Sequence, residues 1–367
     1  MKKLFSQSYV GLVILCAVPL MLAILVVATD KHNSEQSVTE SPTQSHALFS
    51  FSDEKQKEYW KEKIKDAGGK EAYEELAEII AGSAPAQQHA FAHKFGSALY
   101  VLEGLSAFYV CGNEFMWGCF HEIVGQAIID HGLGSTADLK MRCDSLPDSE
   151  INGCRHSLGH GLLAYIGYNT EDLTTALEAC KKYVPDSYGS PFGGCYYGVF
   201  MEFILRGMSG LGAEGYNRME PTKYYSVCDS VTEEFRPTCA ALAIQSWIVS
   251  VSDPTFTPQL MSRFGELCQG FSTQKLVDTC YMGIGSHLPM TDMPAEDVIT
   301  NCKAASPEPR GALLCIVSSV AISRISTSSP VTALCAGLSG ESADYCSLYS
   351  TGTADYDHLV ELRTEHP

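Results

Sequence analysis

Apolar positions in this chain recur mostly at three- and four-residue spacing, and strand-like alternation is almost absent, so helices are predicted nearly throughout. Residues 53–82 are rich in charge, with Tyr59, Trp60, Ile64, Tyr73, Leu76, Ile79 and Ile80 supplying one apolar face. Gly68-Gly69 and Gly82 should break this stretch into two helices. From about 85 to 350 a different pattern repeats. A short helix ends on a cysteine, a loop rich in Pro, Asp, Ser and Gly follows, and a second cysteine opens a more apolar helix. Residues 170–180, 185–195 and 195–205 show the three parts in turn. Thr170, Asp253-Pro254 and Ser329-Pro330 are the predicted starts of three of the short helices. The expected fold is all-α, stacked helical hairpins forming an α/α solenoid or a curled bundle.

The cysteines sharpen this picture. Of fifteen, fourteen fall into sequential pairs: Cys111/Cys119, Cys143/Cys154, Cys180/Cys195, Cys228/Cys239, Cys268/Cys280, Cys302/Cys315 and Cys335/Cys346. Successive pairs begin at intervals between 32 residues (Cys111 to Cys143) and 48 residues (Cys180 to Cys228). An even number of thiols at such spacing suits a disulfide framework in an oxidising compartment. Nearest-neighbour pairing is the economical choice, because each bridge then closes one inter-helix loop. With no Cys-x-x-Cys in the chain, neither a thioredoxin-like site nor c-type haem attachment is supported.

The remaining Cys16 lies in Tyr9 to Ala28, an uncharged run preceded by Lys2 and Lys3. About twenty apolar residues suffice to span a bilayer, and the leading lysines favour a cytoplasmic N-terminus. A cleaved signal peptide ending near Val26-Val27-Ala28 is the rival reading. Leu15 before Cys16 argues against a lipoprotein signal. Either way the rest of the chain is expected to be exported, to the periplasm or the cell exterior. The expected organisation is 1–29 anchor or signal, 30–51 flexible polar linker, 52–350 stapled helical repeats and 351–367 polar tail. No Asn-x-Ser/Thr acceptor occurs, which points toward a bacterial envelope. A net charge of -18 makes nucleic acid and anionic lipid headgroups poor partners.

The cysteine placement, Ala176-Leu177-Glu178-Ala179-Cys180 closing one helix and Gly193-Gly194-Cys195 opening the next, resembles the disulfide-stapled, Sel1-like helical-repeat proteins of the TPR-related class. The resemblance covers about residues 105–350 and concerns architecture. It implies an α/α solenoid and a role in protein contacts, and it carries over no catalytic residue.

Chemistry enters with the histidines, six of eleven of which fall between positions 89 and 160. Aligned on the opening cysteine, His121 and His156 both stand two residues beyond it, and Tyr197 takes that slot in the next helix. His89 and His93 form what looks like a preceding repeat without cysteines, while Ala241, Met282 and Val317 end the polar ladder. His89/His93 and His156/His160 are each four residues apart, which puts both rings of a pair on one helical face. Equivalent positions on stacked helices face one groove, so His89, His93, His121, His156 and His160 are candidate metal ligands. With the thiols oxidised, imidazole and carboxylate remain, a donor set suited to zinc, copper or iron. Gly159 and Gly161 around His160 support the metal reading, as glycines kept for close approach of something; the competing explanation is repeat packing, with histidines hydrogen-bonding between helices and the glycines letting the helices approach.

Glu202 is the carboxylate of choice, because it sits in the apolar run Val199-Phe200-Met201-Glu202-Phe203 where a charge needs a partner. It is a candidate metal ligand or general base; an ordinary ion pair with Arg206 is the alternative. Tyr197 is a second catalytic candidate, placed to orient a substrate, with simple packing as the alternative. Glu122 and Glu103 also lie near the ladder, and the glycine-rich stretch 207–215 could form a lid. Two familiar motifs fail: Gly125 replaces the second histidine of a His-Glu-x-x-His zincin, and Gly189 to Gly198 lacks the strand and Lys-Ser/Thr of a phosphate loop. Two functions are consistent with these residues. One is a membrane-anchored helical-repeat protein using a transition metal for hydrolysis or redox chemistry; the other is a non-catalytic scaffold that binds an envelope protein or a glycan.

Overall fold

A computed structural model describes residues 48–348, apart from 49, 186–192, 210–214, 252–254, 292, 327–330, 337, 341–342 and 345. The predicted anchor or signal, the tail, and nearly all of the linker lie outside the described residues. Contacts divide the chain into two units, Met1–Ser50 and Phe51–Pro367, and the second carries the helical array. No helix among the described residues is long and apolar enough to cross a membrane.

The second unit is all-α, and no strand occurs among the described residues. Two charged helices come first, α1 (Asp53–Ala67) and α2 (Gly69–Ile80). Gly68, at φ 96°, separates them as expected, because only glycine adopts that backbone freely. Seven inner helices follow: α3 (Pro85–Glu103), α4 (Gly118–His131), α6 (Asp148–Ile166), α8 (Gly194–Leu205), α10 (Arg236–Ser250), α12 (Gln274–His287) and α14 (Pro309–Ser326). Between them run shorter outer helices: α5 (Thr136–Cys143), α7 (Thr170–Tyr183), α9 (Lys223–Ser230), α11 (Pro258–Cys268), α13 (Ala295–Ala305) and α15 (Val331–Cys335).

Each inner helix packs on the next inner helix, so the inner row is buried on nearly every side. In α12 every residue from Leu276 to His287 is buried. The outer helices bury one stripe, such as Leu173, Ala176, Leu177 and Cys180 of α7, and leave the other face in water. That division explains why the second helix of each sequence unit is the more apolar. The row also curls: the turn Leu288–Thr291 touches α3, and α14 touches the turn Glu114–Trp117 ahead of α4. Of the two predicted arrangements, the curled one forms.

All seven sequential cysteine pairs are disulfides, with Cα–Cα distances of 5.5 to 5.7 Å. In six of them a cysteine near the end of an outer helix or short element is tied to one inside the next inner helix; Cys335–Cys346 ends the series. The opening cysteine is not always at the helix start. Cys154, Cys280 and Cys315 stand a full turn or more inside α6, α12 and α14. Loop residues ahead of them are already helical, because a first turn can be polar and needs only a cap. Thr273 supplies one for α12 by accepting from the Leu276 N–H.

The predicted helix starts need correction by the same logic. Asn169, not Thr170, caps α7, in a reciprocal box with Asp172. Thr257-Pro258 begins α11, later than Asp253-Pro254, whose residues lie outside the described set together with Ser329-Pro330.

Close backbone approach holds the inner row together. A Cβ on Gly285 of α12 would fall on the Cys315 carbonyl of α14, whereas one on Gly82 would meet nothing within 4 Å. Gly285→Ala should therefore cost about 1–3 kcal/mol in urea denaturation while Gly82→Ala stays near neutral. Non-reducing peptide mapping should recover the seven sequential bridges, and Cys268→Ser/Cys280→Ser should lose about 2–3 kcal/mol.

Candidate metal centre

Five histidines from three consecutive inner helices meet in one cluster. His89 and His93 come from α3, His121 from α4, and His156 and His160 from α6. Glycine makes the meeting possible. A Cβ on Gly96 of α3 would lie 2.6 Å from the Cys119 carbonyl oxygen, and one on Gly159 of α6 would overlap the Cys195 carbonyl. These helices approach closer than side chains on both faces would allow. The groups admitted beside Gly159 and Gly161 are thus the backbones of neighbouring helices. The same device recurs at Gly285, far from any histidine pair, so glycine serves the packing and the imidazoles use the short separation that results.

Ring nitrogens meet at ligand-like distances. His93 Nε2 lies 3.1 Å from His89 Nε2 and 3.1 Å from His121 Nδ1. His160 Nε2 lies 3.0 Å from His156 Nε2. Imidazoles about 2.0–2.1 Å from one ion would be about 2.9 Å apart in octahedral geometry and about 3.3 Å apart in tetrahedral geometry. Two groups can accordingly hold an ion, His89/His93/His121 and His121/His156/His160, with ligand atoms within 4.8 Å of one another in each.

The outward-facing nitrogens are fixed by groups that accept. His89 Nδ1 donates to the Phe115 carbonyl at 2.9 Å, and His93 Nδ1 to the Glu122 carboxylate at 3.1 Å. These partners assign the tautomer: each ring carries its proton on Nδ1, which leaves a lone pair on Nε2. When both rings are neutral they point lone pairs at each other across 3.1 Å, where neither can donate. Carboxylate–imidazole pairs of this kind raise ligand basicity and orient rings in metal sites. The Phe115 carbonyl is aimed by an unusual turn: Phe115, Met116 and Trp117 all have positive φ, of 57°, 51° and 60°. Such residues cost about 1–2 kcal/mol each and persist where surroundings impose them. The Cys111–Cys119 bridge spans this turn.

At the other end, Glu202 is fully buried and holds His160, its Oε2 lying 2.9 Å from Nδ1. Its Oε1 accepts from the Tyr168 hydroxyl at 2.6 Å and from the Met208 N–H at 3.1 Å. Both oxygens are therefore engaged, and Glu202 reaches the cluster through His160. The Arg206 guanidinium lies over the Tyr168 ring, 5.1 Å from its centre. Tyr197 packs its ring 5.4 Å from that of His156, continuing the ladder as a wall of the site. Glu103 sits at the end of α3 against Gly69, away from the cluster. Of the predicted lid only residues 207–209 and 215 are described, 207–209 as a short 3-10 turn.

Spacing could not foresee Tyr168, Met208 or the Phe115 carbonyl. All three lie in connections between helices, where periodicity gives no signal. Comparison with protein-family models, curated proteins and solved structures finds no match.

Electrostatics follow from burial. His121, His156 and His160 are buried, and His89 and His93 are partly exposed. Removal from water, with repulsion from neighbouring imidazoles second, holds His89, His121 and His156 well below the usual 6.5. His160 falls to about 3 for the same reasons. Burial pushes Glu202 up to about 8, against the lowering effect of its Tyr168 and Met208 donors. Without a cation the Glu202 carboxyl keeps a proton near neutrality; a cation on His160 would favour its loss.

In the metal-free protein these shifts make stability depend on pH. Four depressed histidines bind protons more readily when unfolded, so stability present above about pH 6.5 is lost as pH falls. Glu202 acts oppositely, because the folded state holds its proton between 4.5 and about 8, and stability falls as pH rises through that window. Four groups outweigh one below pH 6.5, and Glu202 acts alone above it. The urea midpoint should peak near pH 6.5, drop steeply toward pH 5 and decline gently toward pH 8. A flat profile between pH 5 and 6.5 would mean that the rings are solvated.

Proposed function

We propose that this chain is an exported, membrane-anchored metalloprotein whose histidine cluster holds a transition metal for hydrolytic or redox chemistry. One observation carries the reading: the Nε2 lone pairs of His89 and His93 face each other at 3.1 Å, with both Nδ1 protons committed to acceptors. A cation between them turns that repulsion into coordination. An all-imidazole donor set with oriented carboxylates behind it suits zinc, copper or iron. An ion held by three imidazoles keeps a position open for water or another small ligand, whose acidity or redox state the metal can then change. The His93 side chain is 19% exposed, which puts the accessible edge of the cluster on the α3 side.

Export is supported by the seven disulfides, which suggest an oxidising extracellular or periplasmic compartment. The anchor is inferred from the apolar run Tyr9 to Ala28. In this reading Glu202 and Glu122 are positioning residues for His160 and His93, and Tyr197 shapes the wall beside His156.

A second reading, the non-catalytic scaffold for an envelope protein or glycan, draws on the Sel1-like resemblance. It is favoured by exposed apolar side chains at Val101, Tyr109, Met141 and Tyr165.

The two separate cleanly. The protein purified without a polyhistidine tag should carry zinc, copper or iron by elemental analysis. His156→Ala/His160→Ala should lower the metal content while helical circular dichroism is retained. A protein that neither arrives with metal nor takes up any on dialysis against zinc or copper would sink the metal reading and leave the scaffold.

A further inference from the structure

The cluster is built twice. In each half a helix presents two histidines four residues apart, His89/His93 on α3 and His156/His160 on α6. In each half a carboxylate from the next inner helix holds the second histidine through Nδ1: Glu122 of α4 on His93, and Glu202 of α8 on His160. His121, between them, belongs to both groups. Its ring centre lies 5.0 Å from those of His89 and His93, 4.8 Å from that of His156 and 4.7 Å from that of His160.

The five imidazoles do not form a single ligand group. Ligands about 2.1 Å from a common ion are at most about 4.2 Å apart. The five fall instead into two overlapping threes, each within 4.8 Å. The shared ring has two nitrogens, and they are in different situations. Nδ1 is 3.1 Å from His93 Nε2, in the first group. Nε2 is buried and has no hydrogen-bond partner, whereas each of the other four Nε2 atoms of the cluster lies within 3.1 Å of another ring nitrogen. His121 also groups with His156 and His160, whose own Nε2 atoms converge to 3.0 Å, and its buried, unpartnered Nε2 is the nitrogen not used toward His93.

We infer that the protein binds two transition-metal ions bridged by the His121 ring, one at His89, His93 and His121 Nδ1, the other at His121 Nε2, His156 and His160. This rests on the metal reading above and assigns its nuclearity. Bridging requires the neutral ring to give up its one N–H proton to water, so that each nitrogen offers a lone pair and the imidazolate offsets part of the two cations' charge.

The test is copper(II) titration of the full, metal-stripped protein, followed by elemental analysis and electron paramagnetic resonance. Two copper ions per chain are expected, with a signal well below that of two isolated ions because the imidazolate couples the spins. His89→Ala/His93→Ala and His156→Ala/His160→Ala should each bind one copper and show the full signal of one isolated ion. His121→Ala should abolish the coupling in any copper still bound. One copper per chain in the unaltered protein, or two with the full uncoupled signal, would overturn the bridge while leaving a metal site. No copper or zinc at all would overturn the metal reading itself. The unaltered protein decides nuclearity even if a variant fails to fold.

Discussion

Backbone-to-backbone contact between consecutive inner helices is the constraint on which the rest depends. Where Gly96 meets the Cys119 carbonyl and Gly159 the Cys195 carbonyl, there is no room for a second layer of side chains between the axes. Residues flanking those contacts on α3, α4 and α6 therefore reach across to one another. Three imidazole pairs, His89/His93, His93/His121 and His156/His160, meet there at about hydrogen-bond distance, while His121 and His160 stack. In α12 and α14 the same packing is made with Gly285 and Cys315, and the corresponding slots carry Met282 and Val317. The scaffold is thus general to the domain, and the chemistry is a local choice of side chains on its N-terminal half.

Burial then sets the electrostatic problem that the site must solve. An inner helix surrounded by protein gives its polar residues no water, so each needs an internal partner. Carbonyl and carboxylate partners satisfy the outer nitrogens of His89, His93 and His160. The inner nitrogens are left to one another, and neutral imidazoles cannot all donate. A hydrogen-bonded packing core would alternate donors and acceptors. At His89 and His93 both inner nitrogens are acceptors when the rings are neutral, a contact that a cation between them would relieve.

The disulfides and the strained turn work at the edges of this arrangement. Cys111–Cys119 closes the segment that contains the left-handed residues Phe115, Met116 and Trp117, and the same segment delivers the carbonyl that orients His89. Cys143–Cys154 and Cys180–Cys195 tie α6 and α8, which carry His156, His160 and Glu202, to their outer helices. Each bridge closes a loop whose ordering would otherwise oppose placing these groups.

Much of this was legible in the amino-acid order. Helical periodicity, paired cysteines and the His-x-x-x-His spacing are local properties, set by residues within a few turns of each other, and they determined the all-α class, the seven bridges and the five histidines. Other features depend on residues far apart in the chain. The curl that brings α14 to the turn before α4 is one. The turning of both Glu202 oxygens toward Tyr168, Met208 and His160 is another. The sharing of His121 between two groups is a third. Only packing decided these, because a ring or carboxylate takes its direction from whichever helix or loop the tertiary fold sets beside it, and no periodicity encodes that neighbour.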